Sequence, residues 1–179
     1  MTLALGETAL PFDLPGVDGG THALDDYADA KALAVVWSCN HCPYVIAWED
    51  RLNAIAREYR ERGVRVVAIN SNDWATHPGD SFEAMQERAA AKGFVFDYLQ
   101  DEDQLVAGAY GPERTPEVFL FDEGRRLVYH GAIDDSREEE NVDRRWFREA
   151  LDAVLAGRAP DVAETAAVGC SVKWRAATH

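Results

Sequence analysis

Cysteine is scarce in this chain, with Cys39, Cys42 and Cys170 the only three in 179 residues. So sparse and odd a count does not build the disulfide framework of a small secreted domain. Positive charge is also short, 18 Lys and Arg against 32 Asp and Glu, for a formal net charge of −14. Nucleic acids and anionic membrane surfaces are gripped largely through Lys and Arg, so neither is an expected partner. Long apolar runs are missing too. The longest, Ala32 to Trp37, falls far below the roughly 20 residues of a spanning helix. The opening residues, Met1 to Glu7, hold no positive region and an early carboxylate; they do not read as a signal peptide, and a cytoplasmic location is expected. Neither a dinucleotide fingerprint nor a phosphate-cradling glycine loop nor an internal repeat is visible.

What is present is an ordinary globular composition, 47% hydrophobic and 28% charged, in a length that suits one domain. Residues 1–160 carry alternating element signals, and 161–179 read as a C-terminal tail holding Cys170. Thr8 to Thr21, with Pro11, Pro15 and the Asp18-Gly19-Gly20 turn signal, predicts short edge strands in a hairpin. Ala32 to Trp37 is a continuous apolar strand covered on both faces. After Pro43, apolar residues at helical spacing from Val45 to Tyr59 predict a long helix ended by Gly63. A second strand follows over Val64 to Ile69, then the polar loop Asn70-Ser71-Asn72-Asp73. Asp80 with Glu83 resembles a capping box opening a helix to about Ala91. Further strands are expected at Phe94 to Leu99, Val118 to Phe121 and Leu127 to Tyr129, with a short helix at Gln104 to Tyr110. The acidic stretch Asp134 to Glu140 reads as a solvated loop, and Val142 to Leu155 as a final amphipathic helix. Strands alternating with helices place the chain in the α/β class, with a mixed sheet that is partly parallel and ends in an antiparallel hairpin.

Chemistry is concentrated in Ser38-Cys39-Asn40-His41-Cys42-Pro43, a C-x-x-C between a buried strand and the mouth of a helix. Unpaired N–H groups and the positive end of the helix dipole favour a thiolate on Cys39. Two cysteines so spaced can close a small disulfide ring, letting Cys42 resolve a mixed disulfide formed on Cys39. Pro43 suits a first helical turn, where no N–H is needed. A C-x-x-C is also half of a structural zinc site, but the remaining cysteine, Cys170, has no neighbouring partner to complete four ligands. His41 is read in two ways, as an imidazolium that favours the Cys39 thiolate or as an exposed turn residue. Asn72 and Asp73 likewise stand either as part of a substrate groove at the carboxyl edge of the sheet or as simple turn formers. His22, His77, His130 and His179 are given no role, and Trp48, Tyr59, Trp146 and Phe147 are assigned to the core.

The strand with Cys39-Asn40-His41-Cys42-Pro43, the Asn72-Asp73 loop with Pro78 and Asp80-Ser81, Thr115-Pro116, and the tail Gly169-Cys170-Ser171-Val172-Lys173-Trp174 resemble the thioredoxin-like superfamily. The likeness is to its redoxin branch, related to the alkyl hydroperoxide reductase/thiol-specific antioxidant family, and covers almost the whole chain. It implies a thioredoxin-like fold, a central mixed sheet flanked by helices with an N-terminal hairpin extension. It further implies a redox-active disulfide at Cys39 and Cys42, with Cys39 attacking and Cys42 resolving, and a cis peptide between Thr115 and Pro116 beside Cys39. Ser38 and Leu33 stand where thioredoxin has Trp and an acidic residue. Val36 and Ala32 stand where typical peroxiredoxins have Thr and Pro.

The expected function is therefore that of a thiol–disulfide oxidoreductase, an antioxidant or redox-homeostasis enzyme that takes a disulfide or peroxide substrate and a thiol reductant, with the redox-active disulfide as its only cofactor. Two alternatives accompany it: a thiol-dependent peroxidase with Cys39 as the peroxidatic cysteine, and a non-enzymatic metal or redox-responsive module using Cys39, Cys42 and His41. For Cys170 the readings are a spare thiol or an auxiliary redox residue on a mobile tail, anchored by Trp174.

Overall fold

The computed structural model describes residues 1–176; residues 177–179, with His179 and the end of the tail, lie outside the described residues. The chain enters through an antiparallel hairpin of β1 (Asp13–Pro15) and β2 (Thr21–Ala23), followed by a short 3-10 turn, Leu24–Tyr27. It then forms β3 (Ala32–Trp37), α1 (Pro43–Arg60), β4 (Val64–Asn70), α2 (Phe82–Lys92), β5 (Asp97–Gln100) and α3 (Leu105–Tyr110). Next come β6 (Arg114–Thr115), β7 (Glu117–Phe121), β8 (Leu127–Gly131), α4 (Trp146–Leu155) and β9 (Cys170–Ser171). The main sheet has the order β5-β4-β3-β7-β8. β3, β4 and β5 run parallel, while β7 and β8 return antiparallel, with Trp37 opposite Ile69 on one side and Glu117 on the other. This is the mixed sheet expected from the element pattern.

β3 is buried along its whole length because it has a partner strand on each edge and a packed layer on each face. Side chains alternate across a strand. Ala32, Ala34 and Val36 therefore meet α1 through Trp48, Leu52 and Ile55, and α4 through Phe147 and Leu151. Leu33, Val35 and Trp37 face the opposite layer, made of α3 residues Ala107 and Tyr110 and the N-terminal segment with Phe12, Leu14 and Tyr27. Three alanine-sized or β-branched residues on the α1 side bring that helix close to the sheet. Such burial contributes roughly 1.5–3 kcal/mol per large apolar side chain. The geometry that follows is functional: the end of β3 and the start of α1 are pinned within six residues of each other.

Several boundaries move for identifiable reasons. β5 starts at Asp97 rather than Phe94, because the backbone N–H groups of Phe94 and Val95 donate to Ala89 O and Asn53 Oδ1 instead of to the sheet. α4 starts at Trp146 rather than Val142, since Asp135 ties the preceding segment into a loop through Asp143 N–H and Arg144 O. Ser81, not Asp80, caps α2 by accepting from Ala84 N–H at 3.1 Å. Asp134, expected in solvent, is buried and accepts from Trp48 Nε1 and Arg51 Nη1, both at 2.7 Å.

Over the described residues the tail lies against the domain instead of extending from it. Beyond α4 it follows the edge of β8, where Thr165 N–H donates to His130 O and Thr165 Oγ1 accepts from Ala132 N–H. It then pairs β9 antiparallel with β6, Thr115 opposite Cys170. Gly169 serves this pairing instead of a turn, because a Cβ there would lie 2.0 Å from the Thr115 carbonyl oxygen. Trp174 is half-exposed, and the buried anchor is Val172.

Two outcomes follow. Asp134→Ala strands the Arg51 guanidinium in a buried place and should cost about 3–5 kcal/mol in denaturant unfolding. His130 lies 3.5 Å from buried Glu117 and 3.6 Å from Glu164. Burial works to lower its pKa, but the two carboxylates outweigh it and the value is raised. A raised histidine pKa contributes stability that is fully present below about pH 6.5, the unfolded value, and is lost as pH rises through the folded value. The unfolding midpoint should fall over that range, and His130→Gln should flatten the fall.

Candidate active site

Trp37 closes β3 with its ring buried between Tyr110 and Phe119 and its Nε1 donating to Ser71 Oγ at 3.0 Å. The next peptide still belongs to the sheet, as Ser38 N–H donates to Ile69 O at 2.9 Å. From there the chain turns through Cys39-Asn40-His41 into α1. Cys42 is the N-cap residue, in an extended conformation, and Pro43 takes the first helical position. Ile46 N–H donates to Cys42 O at 2.9 Å, the first bond of the helix.

A buried carboxylate secures the turn. Asp80 Oδ1 accepts from Asn40 N–H at 2.8 Å and from Asn70 Nδ2 at 3.1 Å, and its Oδ2 accepts from Asn72 Nδ2 at 3.0 Å. Asn40 in turn donates through Nδ2 to Gly79 O at 2.9 Å and accepts from the Tyr98 hydroxyl at 2.8 Å. Burial, together with the charges of Cys39 and Asp80, raises the Tyr98 phenol far above its usual range, so it stays a donor. No site role follows from the sequence for Asn40, Asp80 or Tyr98, although Asn40 and Asp80 lie in the motifs that carry the family resemblance. As a helix-cap signal Asp80 is redundant: Ser81 beside it caps α2, and the carboxylate is free for the site.

Thr115 and Pro116 approach from the opposite side, joined by a cis peptide bond. Cys39 Sγ lies 3.5 Å from Thr115 Oγ1, and Cys42 Sγ lies 3.5 Å from the Thr115 carbonyl oxygen. One residue thus touches both sulfurs. The disulfide differs from the expected pairing: it joins Cys42 to Cys170, with Cα atoms 6.0 Å apart, and leaves Cys39 as a free, buried thiol. Such a Cα separation is ordinary for a bridged pair. Register is the reason, since β9 sets Cys170 opposite Thr115, next to Cys42. Cys39, Cys42 and Cys170 form one small cluster with Val45 and Tyr44.

The electrostatics of Cys39 also depart from the helix-mouth expectation. Its pKa is raised, chiefly by burial and also by the charge of Asp80. The hydroxyl of Thr115 and the backbone N–H groups of Cys42 and His41 pull in the expected direction without prevailing. His41 acts here through its backbone, while its exposed side chain packs over Gly79, where a Cβ would sit 1.8 Å from Nε2. Asn72 and Asp73 are committed to the tail. Lys173 N–H donates to Asn72 Oδ1 at 2.9 Å, and Asp73 N–H donates to Lys173 O at 2.8 Å. Gln104 adds a third grip, its Nε2 donating to Lys173 O at 2.9 Å and its Oε1 accepting from Arg175 N–H at 2.9 Å. Among the described residues, Cys39, Cys42 and His41 do not converge as a metal-ligating group.

Residues 5–130 match the model of the AhpC/TSA family. The chain is similar to a hypothetical protein of Sinorhizobium meliloti, whose crystal structure it matches with a TM-score of 0.93 at 39% identity over 99% of this chain and 98% of that one. It is 29% identical over 144 residues to the thiol-disulfide oxidoreductase ResA of Geobacillus kaustophilus, covering 79% of this chain and 76% of that protein. The thioredoxin domain of a thiol-disulfide oxidoreductase from Bacteroides vulgatus shares the fold, with a TM-score of 0.60 at 15% identity over 72% of this chain and 89% of that domain. The architecture is thioredoxin-like.

With Cys42 and Cys170 bonded, Cys39 is the one free cysteine. Its thiolate absorbance should appear above the usual range of about 8.5 for a free thiol. Thr115→Val removes a hydrogen bond that favours the thiolate and should move the titration higher still; an unchanged or lower midpoint would contradict this assignment.

Proposed function

The chain belongs to the AhpC/TSA family, and on that premise we propose that it is a thiol–disulfide oxidoreductase working through Cys39 and Cys42. The observation that carries the reading is the gathering of three sulfurs at the mouth of α1, with two of them 3.5 Å from atoms of Thr115. In the reduced enzyme the Cys39 thiolate attacks a substrate disulfide, forming a mixed disulfide and releasing one substrate thiolate. Cys42 then attacks Cys39 Sγ, which forms the Cys39–Cys42 bond and releases the second substrate thiol. An external thiol reductant restores the dithiol, and no dissociable cofactor enters the cycle. Thr115 contributes a hydroxyl to the attacking sulfur, and Asp80 with Asn40 holds the turn in place.

Peroxidase activity is a second reading, favoured by one feature: Cys39 is a lone thiol facing a hydroxyl donor while the other two cysteines are joined. Peroxide would oxidise the Cys39 thiol to a sulfenic acid and be reduced to water or an alcohol; with Cys42 and Cys170 joined, a thiol of the external reductant would then condense with the sulfenic acid, forming a mixed disulfide and releasing water.

Cys39→Ser should lower reduction of a model protein disulfide by at least about a thousandfold, as expected for loss of a nucleophile. In the Cys42→Ser/Cys170→Ser double variant the first exchange should proceed and stop, holding the substrate on Cys39 as a mixed disulfide visible on non-reducing gels. Peroxide consumption with a thiol donor, measured on the same proteins, separates the two readings.

A further inference from the structure

The C-terminal segment occupies the edge that an extended substrate would need. β9 adds antiparallel to β6 at Thr115, the residue that touches both Cys39 and Cys42, and strand addition to an exposed edge is a general way of binding an extended polypeptide. The fit is close, with Gly169 against the Thr115 carbonyl and Val172 N–H donating to Glu113 O at 3.3 Å. Apolar anchoring is thin by contrast: Val172 is buried, whereas Val168 and Trp174 are each 48% exposed. Beyond Val172 the segment is held by polar contacts to Asn72, Asp73 and Gln104. The covalent tie is the Cys42–Cys170 bond.

Resting on the thiol–disulfide reading above, we propose that Cys170 is a third redox residue and β9 a strap that the Cys42–Cys170 bond latches over the site, opened from within by Cys39. In the opening step the Cys39 thiol loses its proton and its sulfur attacks Cys42 Sγ. The Cys39–Cys42 bond forms, the Cys42–Cys170 bond breaks, and Cys170 leaves as a thiolate that takes up a proton. One disulfide and one thiol are present before and after, so no outside oxidant or reductant is required. Cys39 is placed for this step by the shared contact with Thr115. Once Cys170 is released, β9 is held only by its two-residue pairing with β6, the single buried Val172 and the polar grips on Lys173 and Arg175, and the Thr115 edge can be taken by another polypeptide. In the latched form Cys39 is buried and its pKa is raised, which slows the opening step at neutral pH and holds the latch closed most of the time.

Alkylation of the oxidised full-length protein at neutral pH, followed by non-reducing peptide mapping, tests the exchange without any substrate. Label should collect on Cys170 while Cys39 becomes bonded to Cys42. Gly169→Val, which drives a side chain into the Thr115 carbonyl, should reach that state about tenfold faster, as for a locally destabilised segment. Gln104→Gly is the second variant. It removes the grips on Lys173 and Arg175 while suiting the left-handed backbone at that position (φ 64°), and it should act in the same direction. Hydrogen exchange over residues 168–176 should rise alongside the labelling. Label confined to Cys39 with Cys42–Cys170 intact, or equal labelling rates in wild type and both variants, would overturn the proposal. Neither result touches the thiol–disulfide reading, which fails separately if Cys39→Ser still turns over a disulfide substrate.

Discussion

Asp80 is the contact on which the arrangement of this site depends. Its carboxylate is buried and accepts three hydrogen bonds, from the Asn40 backbone on the cysteine turn, from Asn70 at the end of β4 and from Asn72 on the loop that grips the tail. A buried carboxylate is costly unless its oxygens are satisfied. Satisfying them requires the cysteine turn, the carboxyl end of the sheet and the tail-holding loop to be in register together. The loop that holds Lys173, three residues beyond Cys170, and the turn that carries Cys39 and Cys42 are thus set by the same group.

Around that point two electrostatic influences compete for Cys39. Backbone N–H groups at the mouth of α1 and the Thr115 hydroxyl favour a thiolate, whereas burial among Cys42, Val45 and Tyr44 disfavours it, and burial prevails. The sheet explains why burial is so complete. β3 is sealed by strands on both edges and layers on both faces, and the turn that leaves it is covered from the other side by Thr115 and by β9. A helix mouth alone activates a thiol only where solvent or a fixed charge can share the work.

Much of the frame was legible from residue patterns. The unbroken apolar run from Ala32 to Trp37 announced a doubly covered strand, and the spacing from Val45 to Tyr59 announced the helix after it; both stand as read. Boundaries moved where side chains diverted backbone bonds, as Asn53 does for Val95 and Asp135 for Asp143. Such diversions join residues distant in sequence and leave no periodicity behind. Asp134 illustrates the same limit: in an acidic stretch it looks solvated, yet Trp48 and Arg51 on α1 draw it inside.

By itself the sequence determined the α/β class, the delivery of a C-x-x-C from a buried strand to a helix mouth, and the Thr115-Pro116 element that meets it, because these are local patterns of hydrophobicity, turn chemistry and family likeness. Tertiary structure decided which sulfurs pair. Cys170 stands 128 residues from Cys42, and only the antiparallel register of β9 on β6, permitted by a glycine that fits against the Thr115 carbonyl, brings them together. It also set the direction of the Cys39 pKa shift, because desolvation depends on every layer packed around a sulfur, and no stretch of neighbouring residues encodes it.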